Sequence, residues 1–267
     1  MADAGGSTGD LAPVSHADRV SAAAAMFGDA LPRAEQFADL LSGVGVERGI
    51  IGPAEAERIW ERHLLNCGAV APLIPPRASV IDLGSGGGLP GIVLALLLPR
   101  ARLTLLEPLA RRVEFLTECV GLLGLENVDV MRGRAEDMSG ELSGDVVTAR
   151  AVAPLERLSA LSLGLARPGG IVLAIKGSSA EAELARALPG MRRLGVSDAE
   201  VLRIGGDEDG ATATVVRFTV PAQRTVRGGT GRQGGSGRRG RQNPAVSGTA
   251  GPARALRGRP NSRRSGG

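Results

Sequence analysis

The chain has 267 residues, 43% of them hydrophobic and 22% charged, which is enough for a sizeable core and ordinary for a globular protein. No apolar run reaches the roughly 18 residues of a membrane span. Residues 1–10 carry acid and no basic n-region of a signal peptide, and Cys67 and Cys119 make neither a disulfide framework nor a zinc spacing. Membrane, secreted and zinc-finger classes are therefore set aside, and a reducing cytoplasm is the expected setting.

The net charge of +4 conceals a division. Residues 222–267 hold eleven arginines, twelve glycines and no acid, which leaves 21 basic against 28 acidic residues up to Pro221, a net of −7. With no aromatic residue and few large aliphatics, 222–267 cannot offset its ordering entropy and is expected to be a disordered basic tail. Residues 1–15, with Gly5-Gly6-Ser7-Thr8-Gly9, read as a disordered leader. Residues 16–76 read as a helical cap and 77–221 as a catalytic domain.

Within the cap, Pro32 and Pro53 stand where first-turn prolines belong, before helices at 34–46 and 54–70. Ile59, His63, Leu64, Cys67 and Val70 recur at helical spacing in the second. Gly49 and Gly52 mark the break between them.

From residue 78 the pattern alternates between strand and helix. Strands are predicted at 79–83, 102–107, 128–131, 145–151 and 171–175, with helices at 91–98, 110–123 and 155–166 between them. A terminal hairpin follows at 201–204 and 213–220. This alternation predicts a mostly parallel, doubly wound α/β sheet with an antiparallel terminal hairpin. A ligand should sit at the carboxyl ends of its first strands.

Asp82-Leu83-Gly84-Ser85-Gly86-Gly87-Gly88 follows the first strand and opens a helix. A dinucleotide G-x-G-x-x-G counted from Gly84 fails at Leu89. Counted from Gly86 it matches formally, but it starts late and runs through Pro90. There is no G-K-[ST] of a phosphate-cradling loop. D-x-G-x-G-x-G fits from Asp82, the pattern of S-adenosylmethionine (SAM) enzymes. Glu107 ends the second strand, where a carboxylate can accept from both ribose hydroxyls, a feature SAM and NAD sites share. Arg134-Ala135-Glu136-Asp137, after the third strand, would face an adenine, or else form a solvated charged loop. Arg150 ends the fourth strand, as a candidate catalytic group or as a structural arginine paired with Glu136 or Glu156.

The acceptor chemistry is narrowed by what stands after the fourth strand. An exocyclic-amine methyltransferase carries [N/D/S]-P-P-[Y/F/W] there, whereas this chain reads Ala149-Arg150-Ala151-Val152-Ala153-Pro154. Methylation of a pyrimidine carbon needs a thiolate, and Cys67 and Cys119 read as small core residues away from the site. A guanine N7, which has a free lone pair and no proton, needs only in-line alignment.

With these residues in view, the chain resembles the bacterial small-subunit rRNA guanine-N7 methyltransferase family, also called glucose-inhibited division protein B. The resemblance covers roughly residues 53–220. It rests on Arg62-His63-Leu64-Leu65-Asn66-Cys67, on the Gly-rich turn extended by Leu89-Pro90-Gly91, on Arg111-Arg112-Val113-Glu114-Phe115-Leu116, on Arg134-Ala135-Glu136 and on Thr148-Ala149-Arg150-Ala151. It implies a class I SAM-dependent methyltransferase acting on a guanine in the decoding-region hairpin of 16S rRNA. It also implies cofactor contacts at Gly84, Leu89, Ala135, Glu136 and Arg150, with Glu107 on the ribose. Gly86 belongs to the same turn. The expected partner is 16S rRNA, the 30S subunit or its assembly intermediate, with no metal, no membrane and a monomeric enzyme.

His63 reads as a packing residue more readily than as a catalyst. Lys176, the only lysine, is expected on the same rim as Arg150, within reach of RNA phosphate. The arginine tail lies outside the resemblance and reads either as an electrostatic arm for rRNA or as a compositional extension. Two other functions remain open at this stage: a methyltransferase of the same fold acting on a small molecule or protein, and a noncatalytic ribosome-assembly binder with a degenerate pocket.

Overall fold

A computed structural model describes residues 16–205 and 212–222, all within one compact unit. The expectations for the leader 1–15, for most of the loop between the hairpin strands and for the arginine tail lie outside the described residues.

The N-terminal helices are α1 (His16–Phe27), α2 (Leu31–Leu40), α3 (Pro53–Ala56) and α4 (Asn66–Gly68). α2 runs on into a π-helical turn, Leu41–Gly45, and a second one, Ile59–Leu65, leads into α4. Pro32 lies in the first turn of α2 and Pro53 opens α3, as their missing N–H and fixed φ favour.

Seven strands follow: β1 (Ser79–Leu83), β2 (Arg102–Glu107), β3 (Val128–Arg132), β4 (Gly144–Arg150), β5 (Ala166–Lys176), β6 (Glu200–Ile204) and β7 (Ala213–Thr219). Between them lie α5 (Gly91–Leu97), α6 (Ala110–Leu122), α7 (Leu155–Leu165) and α8 (Ala180–Arg193). The sheet order is β3-β2-β1-β4-β5-β7-β6. β7 runs antiparallel to both neighbours and the remaining pairings are parallel. The order reverses between β1 and β4, which opens a crevice at their carboxyl ends.

The pleat sorts the core into two faces. Val80, Leu105, Val146, Leu173 and Val215 face one layer, where they pack with Phe37, Leu64, Ile92, Phe115 and Leu116. Their neighbours Ile81, Leu106, Val147, Val172 and Val216 face the other, with Leu155, Leu184 and Met191. The N-terminal helices share the first core with α5 and α6, so they are packed as part of the sheet's helical layer.

Several elements differ from the sequence reading, among them the helix expected at 54–70, which is divided into α3, a π-helical turn and α4. β4 ends at Arg150, not at 151, because Ala151 takes a positive φ of 54° and turns the chain. β5 begins at Ala166, five residues earlier than predicted; Gly169 at φ 76° and a register shift absorb the irregularity. α8 coincides with no predicted element, although Ala180, Leu184, Ala187 and Met191 form its buried stripe.

Candidate active site

The Gly-rich turn is held shut from inside. Asp82, 1% exposed, accepts from the Gly91 N–H at 3.0 Å through Oδ2 and from Thr148 Oγ1 at 3.3 Å through Oδ1. Asp82 is therefore a staple between β1, β4 and the start of α5. Gly84, Gly86 and Gly88 all take positive φ, 70°, 57° and 91°. A Cβ on Gly84 would lie 2.9 Å from Val152 Cγ2, so the turn also needs glycine for space. The amides of Gly84 and Ser85 donate to the Leu106 carbonyl at 2.8 and 3.2 Å, fixing the turn to the end of β2.

Gly91 starts α5 where a Cβ would strike Leu105 Cδ2 and sit 2.6 Å from Asp82 Oδ2. Gly→Ala in a helix ordinarily gains up to about 1 kcal/mol. Here overpacking, of about 1–3 kcal/mol, outweighs it. Gly91→Ala is expected to lower the urea midpoint with an unchanged m-value; a midpoint at or above that of the natural protein would refute the packing argument.

Glu107, 2% exposed, receives the Gly86 N–H at 2.9 Å on Oε2 and the Leu109 N–H at 3.0 Å on Oε1. Arg112 Nη1 stands 3.8 Å from Oε2. A cavity of about 390 Å³ opens beside this carboxylate, lined among others by Gly84, Glu107, Arg112, Ala135, Glu136 and Val152. Its size suits a small-molecule ligand. The buried Arg112 Nε–H finds no acceptor among the described residues, a donor that a ligand oxygen would satisfy. Glycines where a Cβ would collide, a buried carboxylate with acceptor capacity left and an orphaned donor together fit SAM.

The sequence-predicted residues are partly gathered. Gly84, Glu107, Ala135 and Glu136 line the cavity, and Gly86 bonds to Glu107. Leu89 is not among the cavity's lining residues and packs against the core of the α5 face. Glu136 is exposed and receives Arg157 Nη2 at 3.2 Å; its own backbone N–H, then Arg157, holds its carboxyl below the usual range.

Arg150 ends β4 as expected, but it does not make the ion pairs expected of a structural arginine. It is absent from the cavity lining, and it pairs with neither Glu136 nor Glu156, which are engaged by Arg157 and Arg193. Its Nη1 donates to Cys67 Sγ at 3.2 Å and its Nη2 meets His63 Nδ1. Cys67 is thus not remote from the strand switch point. Burial pushes its thiol up to about 11, so it stays protonated at neutral pH. Lys176 is not a free rim cation either: its Nζ donates to Glu183 Oε1 at 2.8 Å and to the Ala153 carbonyl at 3.2 Å. Sequence reasoning gave no role to Arg112 or Glu55; the Arg111-Arg112 motif was the available signal for the first.

His63 is 5% exposed, and burial, then Arg150, pushes its pKa down to about 4. Burial raises Asp82 to about 6, against hydrogen bonds that favour its ionised form. The two act on stability with opposite signs. Unfolded histidine binds a proton below about 6.5 while folded His63 does not until about 4, so its contribution is lost as pH falls through that window. Folded Asp82 keeps a proton that the unfolded chain releases above about 3.8, so its contribution is lost as pH rises to about 6. Urea titrations of His63→Gln are expected to show stability falling as pH rises between about 4.5 and 6, and those of Asp82→Asn the reverse slope. Parallel slopes in the two variants would contradict the assignment.

The reversed strand order, the glycine turn on β1 and the acid ending β2 define a class I SAM-dependent methyltransferase. Residues 30–208 match the family model described as rRNA small subunit methyltransferase G. The chain is 56% identical over 199 residues to a ribosomal RNA small subunit methyltransferase G of Thermobifida fusca, covering 74% of this chain and 84% of that protein. It is 50% identical over 196 residues to the protein of the same name from Streptomyces avermitilis, covering 73% and 82%. Among solved structures, a SAM-dependent O-methyltransferase from Thermotoga maritima aligns with a TM-score of 0.48 at 15% identity, covering 59% of this chain and 65% of that one. The chain belongs to the rRNA small subunit methyltransferase G family.

Proposed function

We propose that the protein transfers a methyl group from SAM to N7 of a guanine in the decoding-region hairpin of 16S rRNA. When bound, SAM supplies an electrophilic methyl group on a sulfonium that leaves readily. The residues proposed to hold it are Gly84, Gly86, Leu89, Glu107, Ala135, Glu136 and Arg150. Glu107 would take the ribose hydroxyls and the Ala135–Glu136 backbone the adenine edge.

The observation that carries the N7 reading is the chemical state of the side chains at the switch point. Cys67 is a thiol with its pKa near 11, His63 Nδ1 is occupied by Arg150, and Arg150 is a fixed cation. Such a set supports alignment of an acceptor that already carries a lone pair, and N7 of guanine is one. The names of the curated relatives support small-subunit rRNA as the substrate.

The reading includes a cytoplasmic, monomeric enzyme without a metal, recognising the 30S subunit or its assembly intermediate. Its proposed domains are a leader 1–15, helical cap 16–76, methyltransferase domain 77–221 and basic tail 222–267. Among the described residues no helix is long and apolar enough to cross a membrane. The test is mass mapping of methylated guanines in rRNA from cells with and without the gene, together with methyl transfer to 30S particles, stripped 16S rRNA and small metabolites. Loss of one 7-methylguanine from the small-subunit rRNA supports the proposal. An unchanged map, or methyl transfer only to metabolites or protein, overturns it.

A further inference from the structure

The Arg62–Cys67 block carries the family resemblance but has no chemistry of its own in the reading above. In the structure it meets the end of β4. Arg150 follows Ala149, which pairs with Leu83 next to the glycine turn, so its side chain starts at the switch point. A guanidinium has only donors and does not give up a proton. His63 Nδ1 therefore presents its lone pair to Arg150 Nη2, and the ring proton belongs on Nε2. That atom lies 2.9 Å from Glu55 Oε2, close but poorly aligned for a hydrogen bond.

The neighbouring cations are held differently. Arg62 pairs with Glu55, Arg157 with Glu136 and Lys176 with Glu183, each a carboxylate that offsets the charge. Arg150 is held by a neutral imidazole and a neutral thiol, with no carboxylate in ion-pair reach among the described residues. It is oriented without being neutralised, and it remains partly exposed.

We infer that His63 is a positioning residue for methyl transfer, which accepts from Arg150 at Nδ1 and so presents an uncompensated guanidinium to an anionic oxygen in the active site. This rests on the proposed placement of Arg150 at the site. The anion is either the carboxylate of SAM or a backbone phosphate of the RNA, and both would be drawn to the same fixed fork. The charged groups facing His63 are Arg150 from β4, Glu55 from α3 and Arg62 from its own turn, with Cys67 as a neutral thiol; burial and Arg150 together keep the ring unprotonated near neutrality. A proton on Nδ1 would place two cations in contact and release the fork.

The experiment measures kcat and KM for 30S particles, SAM affinity and urea stability in His63→Ala, His63→Gln, Arg150→Ala and the His63→Ala/Arg150→Ala double variant. His63→Ala is expected to lower kcat/KM by about ten- to a hundredfold, as misplacement of a site group does. The double variant should be no worse than Arg150→Ala, because the two act through one contact. His63→Gln, whose side-chain carbonyl can accept from Arg150, should recover most of the loss, and it serves as the folded control if His63→Ala unfolds. The natural protein should show no acid limb near pH 6.5, where a histidine acting as general base would titrate.

Weakened SAM binding in His63→Ala identifies the carboxylate as the anion. Intact SAM binding with raised KM and a shallower salt dependence for 30S identifies the phosphate. Losses that multiply in the double variant, no recovery in a folded His63→Gln, or an acid limb near pH 6.5 overturn the inference while leaving Arg150 in the site. A fully active Arg150→Ala removes its foundation, and in that case it is the placement of Arg150 that has failed.

Discussion

Replacing Arg150 with alanine is expected to lower kcat/KM for methyl transfer by about a hundredfold while the protein stays folded. The stability cost is limited by what the side chain touches. Two hydrogen bonds are lost, to Cys67 Sγ and His63 Nδ1, and both partners are neutral. Leaving them unpaired costs about 1–3 kcal/mol, against a strand whose neighbours Val146, Val147 and Ala149 remain fully packed. The catalytic cost is larger because Arg150 is held by neutral partners at the end of β4, with no carboxylate in ion-pair reach among the described residues to offset its charge. Arg150→Lys separates charge from shape: an ammonium cannot span both His63 and Cys67, so it should retain only part of the activity. A second readout needs no substrate. Burial and then Arg150 lower His63, so in Arg150→Ala the imidazole should titrate above about 4 while burial still holds it below 6.5, as its proton NMR resonances would report. Full activity together with an unmoved His63 titration would take Arg150 out of the site altogether.

The parts of this architecture that could be read from the sequence are those whose causes are local. β1 and β2 are legible to the residue because they are short buried runs ended by glycine or by an acid. The cradle was readable because Asp82, the three glycines and Gly91 form one continuous segment, with Glu107 one strand away. α8 is not legible in the sequence because half of its buried stripe is alanine, and Pro189 and Gly190 break the pattern. The Glu156 side chain of α7 lies where a Cβ on that glycine would sit, a contact no periodicity reveals. The setting of Arg150 was equally hidden: its partners lie 83 and 87 residues earlier, in a helix that reads as core. Lys176 does stand at the end of β5 next to Arg150's strand, but its partner Glu183, seven residues on, is hidden in the sequence because α8 itself is not legible there.

Removal of the Glu107 carboxylate should weaken SAM binding by about 1–3 kcal/mol, roughly a five- to 150-fold rise in Kd. An ionised carboxylate offers about four acceptor positions, and two are used here by the Gly86 and Leu109 amides. Two remain for the vicinal hydroxyls of a ribose, with Arg112 at 3.8 Å supporting the negative charge. Glu107→Ala therefore removes the ribose acceptors and also frees both amides that fix the mouth of the cavity. Glu107→Gln tests which loss dominates. It keeps one oxygen and the side-chain volume, but its amide N–H₂ must face either the Gly86 or the Leu109 N–H, donor against donor. If the ribose contact dominates, Gln should lie between Glu and Ala in calorimetric affinity; if holding the turn dominates, Gln should be as poor as Ala. Thermal unfolding supplies the check on folding, because SAM at a hundred times Kd stabilises the natural protein by about 2.7 kcal/mol and should stabilise either variant less at the same concentration. An unchanged Kd in folded Glu107→Ala would mean that the acid at the end of β2 holds the glycine turn alone, and that the nucleoside lies elsewhere in the crevice.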